Sequence, residues 1–458
     1  MLVVQPYDGE MIADIPLDDA ASAEQKLDRS ARCFANRSSW LPAYKRIEIL
    51  KRLARLIERE FDHLALLIAR EGGKPLTDAK AEVTRAVNGI ETGASKLEHL
   101  AGHEIPMGLT PASEDCWAFT TKEPIGVVFA ISAFNHPLNL IVHQIVPAIA
   151  TGCPVLIKPA ATTPLSCLRF VQLVHEAGLP EPWCQVIVIE DVSLAECIVA
   201  DPRVAFLSFI GSAKVGWHLR SRLAPGTRCA LEHGGAAPVI IDRSADLDRI
   251  IEPLVKGGYY HAGQVCVSVQ RIFVHKDIEE SFVAQFAERV RKLKVGDPML
   301  PDTEVGPLIL PKEVKRVAEW VREAIAGGGL LITGGEGVGD RAYNPTVIVD
   351  PSPTAYVSRE EIFGPVTCVY GYSDMSEAIA RANSLKTAFQ ASIFARDIDA
   401  ALTAAKLLDA SAVMVNNHTA FRTDWMPFTG RRRSGLGIGG IPYTMHDMMQ
   451  DKMIVLKF

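Results

Sequence analysis

The stretch "VAFLSFIGSAKVGWHLRSRLA" (Val204–Ala224) decides how this chain folds. An apolar strand, "VAFLSFI", runs into the small residues Gly211 and Ser212, and a helix begins at once. Strand, short turn and helix in that order form the unit of a parallel sheet, because strands running the same way need a crossover between them. The rhythm extends in both directions. Upstream lie a short buried strand "PVLIKP" (Pro154–Pro159), a helix "LSCLRFVQLVHEAG" (Leu165–Gly178), a strand "WCQVIVI" and a helix "LAECIVAD"; downstream, "PVIID" (Pro238–Asp242) is the next strand. A second alternation runs from "LDRIIEPLVKGGYYHA" to "AVMVN" (Ala412–Asn416). The fold class expected is α/β, with two parallel-sheet domains carrying helices on both faces.

The flanks read differently. Ser22 to about His103 is helical, with one long amphipathic helix in "YKRIEILKRLARLIEREFDHLALLIAR" (Tyr44–Arg70), where Ile47, Leu50, Leu53, Ile57, Leu64 and Leu67 recur at helical spacing. "EGGKP" (Glu71–Pro75) punctuates it before a second charged helix. "WAFTTKEPIGVVFAISAF" (Trp117–Phe134) reads as strand, turn, buried strand. The closing "DKMIVLKF" (Asp451–Phe458) is strand-like with little chain left beside it, so it is expected to pair with a distant segment, near Trp117–Lys122, or with another subunit. The domains expected are 1–103 with 124–234 for a cofactor, 235–440 for catalysis, and 104–123 with 441–458 as a small β oligomerisation element.

At 458 residues, 48% hydrophobic and 22% charged, the chain is long enough for two or three cores. A net charge of −6 argues against nucleic acid or an anionic membrane as a main partner. The N-terminus has no basic, then apolar, signal-peptide pattern, and the longest apolar runs fall short of the roughly 20 residues that span a bilayer. Nine dispersed cysteines without Cys-x-x-Cys or zinc spacing fit free thiols in a reducing, cytoplasmic setting, with no metal.

One of those cysteines stands apart. Cys266, in "YYHAGQVCVSVQR" (Tyr259–Arg271), sits among small and polar residues rather than apolar ones. A nucleophilic thiol needs a base and an oxyanion donor. Glu232, before two glycines and an apolar strand in "CALEHGGAAPVII", is the candidate base, since burial lifts a carboxylate toward the useful range. Asn135, leaving a buried strand in "ISAFNHPLN", is the candidate oxyanion donor. Each has a plainer reading: free cysteines are mostly inert core residues, Glu232 can be a loop charge, and Asn135 can cap a turn. For phosphates, the Gly211-Ser212 helix start offers free N–H groups and the positive helix end. A Gly-x-Gly-x-x-Gly at Gly435, Gly437 and Gly440 does not, because no strand leads into it and too little chain follows.

Taken in order, Phe134-Asn135-His136-Pro137, Lys158 in "LIKPAATTP", Gly211-Ser212, Glu232-His-Gly-Gly, Gly-Gln-Val-Cys266, "EEIFGPV" (Glu360–Val366) and "PFTGRRRSGLG" (Pro427–Gly437) resemble the aldehyde dehydrogenase superfamily over essentially the whole chain. The resemblance implies an NAD(P)-dependent oxidation of an aldehyde to a carboxylate through a Cys266 thiohemiacetal and thioester. Glu232 would then activate the deacylating water, and Asn135 would supply half of the oxyanion hole. It also implies that Lys158 and Glu361 contact the cofactor ribose, that Phe363 packs near the nicotinamide, and that Gly211 and Ser212 face the pyrophosphate. Ala161 stands where many NAD-selective relatives carry a glutamate, so NAD is expected and NADP is not repelled. The N-terminus begins late, which implies a missing early strand or hairpin. Presence of Cys266, Glu232 and Asn135 argues against a non-catalytic relative, and Glu232 against a CoA-acylating one.

Arg85, His136 and Arg422 point to an anionic substrate, since two guanidinium groups and an imidazole suit a tetrahedral phosphonate, phosphate or sulfonate. The closing run from Phe421 with Asn135-His136 looks most like the phosphonoacetaldehyde dehydrogenase branch; lactaldehyde, glyceraldehyde-3-phosphate and sulfoacetaldehyde dehydrogenases are neighbouring branches. A homodimer or homotetramer is implied by the same resemblance.

Overall fold

The computed structural model describes Met1–Phe458. The strand–turn–helix unit around Gly211 belongs to a six-stranded sheet in the order Gly435–Leu436, Arg228–Glu232, Val204–Ile210, Val127–Ile131, Val155–Lys158, Cys184–Val186. Its neighbours run parallel except Gly435–Leu436, an antiparallel edge. Register then does something useful. Ile131 lies opposite both Lys158 and Phe209, and Ile210 lies opposite Glu232. Lys158, the Gly211-Ser212 turn, Glu232 and the loop from Ser132 to Asn135 therefore leave the sheet along one edge, at the carboxyl ends of its strands. Open α/β sheets hold ligands at that edge.

A seven-stranded sheet follows, in the order Leu330–Thr333, Thr346–Val349, Val366–Tyr372, Val269–His275, Ala237–Ile241, Gln390–Phe394, Ala412–Val415, parallel but for its first strand. Here the amino ends matter. Cys266 just precedes Val269–His275, and Glu361 and Phe363 just precede Val366–Tyr372. The five inner strands are near-continuous buried runs rich in Val, Ile and Phe because helices cover both faces, whereas the edge strands Leu330–Thr333 and Ala412–Val415 are largely not buried.

The helix Asn139–Thr151 is buried along its whole length, polar residues included. Helix Leu76–Lys96 crosses it so closely that a Cβ on Gly93 would lie 2.3 Å from Val146. The expected helix Tyr44–Arg70 is two, Ala43–Arg59 and Phe61–Gly72. Glu60 breaks them with φ −99° and ψ 18°, its carboxylate drawn to Arg169 Nε at 2.8 Å. Gly73 (φ 66°) ends the second in the left-handed conformation that its lack of a Cβ permits.

One further correction concerns the ends. The N-terminal residues form a hairpin, Leu2–Val4 pairing antiparallel with Met11–Asp14. The terminal strand, Met449–Lys457, pairs along its full length with Cys116–Pro124, the distant partner the sequence pointed to, and Glu104–Ile105 completes a three-stranded sheet. Residues 441–448 are not part of it: Ile441, Met445 and Met448 are fully buried in the core around helix Asn139–Thr151. No helix is long and apolar enough to cross a membrane.

Candidate active site

A cavity of about 960 Å³ lies between the carboxyl edge of the first sheet and the amino edge of the second. Asn135, Glu232, Cys266, Gly211, Ser212, Glu361, Phe363, Arg85, His136 and Arg422 all line it. Residues far apart in sequence thus meet in one place. Lys158 stands just outside the lining, which Ala160 reaches instead, and its Nζ lies 3.4 Å from the Pro159 carbonyl.

Local backbone aims Cys266. His261, Ala262 and Gly263 take positive φ in succession, 48°, 55° and 70°. Two non-glycine residues in that region cost about 1–3 kcal/mol each, and such strain collects at functional sites. A Cβ on Gly263 would meet the Gly364 carbonyl at 2.2 Å, so the turn is as tight as glycine allows. Gln264 locks the result: its Oε1 accepts from the Ile309 N–H at 2.9 Å, and its Nε2 donates to the Pro307 carbonyl at 3.3 Å. Its own carbonyl accepts one N–H of the Asn135 amide at 2.9 Å, leaving the other N–H free. Arg271 is a brace rather than an anion binder. It is buried and donates to the carbonyls of Ala236, Arg381 and Ala382, tying the loop after Glu232 to the strand after Cys266.

Glu232 ends its strand, and Gly439 faces it: a Cβ there would lie 2.0 Å from Glu232 Oε1. Burial raises the Glu232 pKa, and the charge of Arg422 opposes the rise. Burial also pushes the Cys266 thiol up to about 12, with Glu361 and Glu232 adding to the rise and Arg422 again opposing it. The site therefore holds Cys266 as a thiol, and a proton acceptor must be at hand when it reacts.

Two features fit a dinucleotide. The helix Ala213–Arg220 starts at Ser212 with no side-chain cap, so its first N–H groups and the positive helix end face the cavity unspent. Glu361 is half-buried with its Oε1 enclosed and lacking any hydrogen-bond partner, and burial lifts its pKa to about 8. Phe363, at φ 48°, stands edge-on to Phe134 with ring centres 5.7 Å apart.

The three basic residues converge, but they are not equivalent. Arg85 is ion-paired with the buried Asp424 at 2.8 Å. His136 Nδ1 is 2.9 Å from Lys74 Nζ, and burial followed by the Lys74 charge lowers its pKa to about 4, so it is neutral. Arg422 alone has no carboxylate partner. Its guanidinium stacks on Phe428 at 3.6 Å, one NH2 lies 3.2 Å from His143 Nδ1, and its Nε is buried without a partner. The positive charge expected from the set thus comes from Arg422.

Sequence reasoning missed Lys74, Glu82, His143 and Asp424. "EGGKP" marked a turn, and the turn delivers Lys74 to the core; a lone acid in a helix or loop carries no comparable signal.

Residues 1–454 match the model of the aldehyde dehydrogenase family. The chain is 36% identical over 413 residues to the 3-sulfolactaldehyde dehydrogenase of Priestia megaterium, spanning 90% of this chain and 86% of that one. It superimposes with a TM-score of 0.96 and 34% identity on aldehyde dehydrogenase 21 from Physcomitrella patens in complex with its reaction product succinate, covering 100% of this chain and 95% of that one. It is also similar to glyceraldehyde-3-phosphate dehydrogenase from Methanocaldococcus jannaschii complexed with NADP, with a TM-score of 0.94, 33% identity, and coverage of 100% and 99%.

Proposed function

The chain belongs to the aldehyde dehydrogenase family, and on that premise we propose that it oxidises a short anionic aldehyde, phosphonoacetaldehyde, to its carboxylate, phosphonoacetate. The family assignment makes it an NAD(P)-dependent enzyme that oxidises aldehydes. The uncapped helix start behind Gly211-Ser212 would hold the cofactor's pyrophosphate, and Glu361, with Lys158 close by, its ribose hydroxyls; Phe363 would pack at its nicotinamide end. When bound, the cofactor takes up the hydride released from the reacting carbon.

The chain's own residues do the rest. The Cys266 sulfur attacks the aldehyde carbon and gives up its proton to Glu232, whose raised pKa suits a base working near neutrality. The free N–H of the Asn135 amide and the backbone N–H of Cys266 hold the oxyanion. Loss of hydride leaves a thioester on Cys266; Glu232 passes the thiol's proton on to solvent and, a carboxylate again, takes a proton from the water that cleaves the thioester, and the freed Cys266 sulfur takes that proton back.

The observation that carries the substrate class is Arg422, a guanidinium enclosed in the same cavity as Cys266 and Glu232, without a carboxylate and with a buried N–H unspent. Leaving such a cation unpaired is costly, and an anionic end on the substrate repays it with charge-assisted hydrogen bonds. A sulfonated aldehyde is the second reading, favoured by the 3-sulfolactaldehyde relative. The exposed apolar sheet formed with the terminal strand would be covered by a second copy of the chain. The test is reduced-nicotinamide formation with phosphonoacetaldehyde, sulfoacetaldehyde, lactaldehyde, glyceraldehyde-3-phosphate and propanal. A preference for the phosphonate that collapses in Arg422→Ala supports the proposal; equal turnover of propanal, indifferent to the variant, refutes the anion reading and leaves the Cys266 chemistry intact.

A further inference from the structure

Resting on the reading of Arg422 as the group that meets the substrate's anion, we infer that His143 is a specificity-determining positioning residue, a neutral spacer that orients Arg422 while keeping it from being neutralised by Asp424. Asp424 is 2% exposed and is the carboxylate to which Arg85, Asn139 and His143 all bond. Its Oδ1 receives Arg85 NH2 at 2.8 Å, Asn139 Nδ2 at 3.1 Å and the His143 ring at 2.8 Å. His143 touches Asp424 through Nε2 and Arg422 through Nδ1.

Hydrogen-bond chemistry fixes the direction. A guanidinium has donors only, so Nδ1 must be the acceptor from Arg422. A neutral imidazole with a free Nδ1 carries its proton on Nε2, which then donates to Asp424. The ring is 4% exposed, in keeping with an uncharged imidazole.

The consequence is a division of labour between two arginines. Asp424 cancels the charge of Arg85 by direct contact. Arg422 reaches Asp424 only through the ring to which it donates, so its orientation is set and it is not ion-paired with that carboxylate. Phe428 holds one face of the guanidinium at 3.6 Å and His143 holds one edge. Nε is left enclosed and unsatisfied, and the cavity's anion-binding capacity resides in the donors the guanidinium presents to the lining. Without the ring, the group that stands between Arg422 and the buried Asp424 carboxylate is gone, and pairing between them would quench the site.

Three variants test this. His143→Phe removes both contacts and keeps a ring. His143→Gln places an amide near Nε2, keeping the Asp424 contact and losing the acceptor for Arg422. His143→Asn places a carbonyl near Nδ1 and keeps that acceptor. The quantity read is the ratio of kcat/KM for phosphonoacetaldehyde to kcat/KM for propanal, with KM and kcat separated. The ratio is expected to fall about tenfold in His143→Phe and His143→Gln, the size of one hydrogen bond to a charged group, mainly through the KM of the phosphonate. His143→Asn is expected to hold the ratio nearest to that of the unmodified enzyme. An equal fall for both aldehydes marks a merely structural ring and overturns the inference, as does a ratio that does not move. Should His143→Phe fail to fold, the order of Gln and Asn decides, and Asn losing more than Gln overturns it. Arg422→Ala, measured beside them, separates the two levels: an unchanged ratio there removes the anion reading itself, whereas a fall there without one in the His143 variants removes only the relay.

Discussion

Lys74 and Glu82 form an ion pair in which neither side chain reaches solvent. The other Glu82 oxygen accepts the backbone N–H groups of Leu138 and Asn139 at 2.9 and 3.0 Å, and Lys74 also reaches His136 Nδ1. The pair therefore anchors the turn that follows Asn135. Removing one charge strands the other in the core, so Glu82→Gln or Lys74→Met alone is expected to cost about 3–5 kcal/mol in urea unfolding. The double variant Lys74→Met/Glu82→Leu is expected to lose less than the sum of the single losses. Additive losses would show that the pair does not act as a unit.

Gly439 leaves the space that the Glu232 carboxylate fills, its absent Cβ falling 2.0 Å from Oε1. Gly439→Ala displaces the base without removing it. A misplacement of about 1 Å can cost up to about 100-fold in rate, so kcat is expected to fall by 10- to 100-fold while alkylation of Cys266 by iodoacetamide persists. Full activity in this variant would argue that Glu232 is not the base.

The pH dependence of kcat/KM follows from Arg422. Burial raises both Glu232 and Cys266, and activity needs Glu232 unprotonated so that it can take the Cys266 proton, so the rate rises as pH rises through the Glu232 titration. Arg422 is the cation that opposes both rises. With propanal, whose binding needs no anion site, Arg422→Ala is expected to move the rising limb to higher pH. A limb that stays in place, or moves down, would contradict this placement of Arg422.

The terminal sheet leaves Trp117 and Phe458 each 69% exposed, in edge-on contact at 5.0 Å, with Phe119 and Leu456 exposed on the same face and Met453 and Val455 exposed on the other. Apolar surface of this kind on a thin sheet calls for a cover. Trp117→Glu combined with Val455→Asp is expected to lower the mass measured by light scattering during gel filtration to that of a single chain. An unmodified enzyme that already elutes as a monomer would refute the assembly proposal.

Much of the fold was legible because its signals are local. Strand, small turn and helix repeat around Gly211-Ser212, and β-α alternation forces a parallel sheet whose strand ends share an edge. Cys266, Glu232 and Asn135 were legible for the same reason, each standing where an apolar strand begins or ends. The break at Glu60 was not, since both halves share one apolar periodicity and the ion pair with Arg169 that bends the chain is remote.

The sequence by itself determined the alternation of strands and helices along the chain, the strand ends beside which Asn135, Glu232 and Cys266 stand, and the residue types available to a thiol-based oxidation. Only the tertiary structure decided which charges remain free. Arg85 is cancelled by Asp424, 339 positions away; His136 is kept neutral by burial and then by Lys74, 62 positions away; and Arg422 keeps its charge because a histidine, 279 positions away, stands between it and that same aspartate. Charge state depends on burial and on neighbours within a few ångströms, and neither is a property of any short stretch of chain.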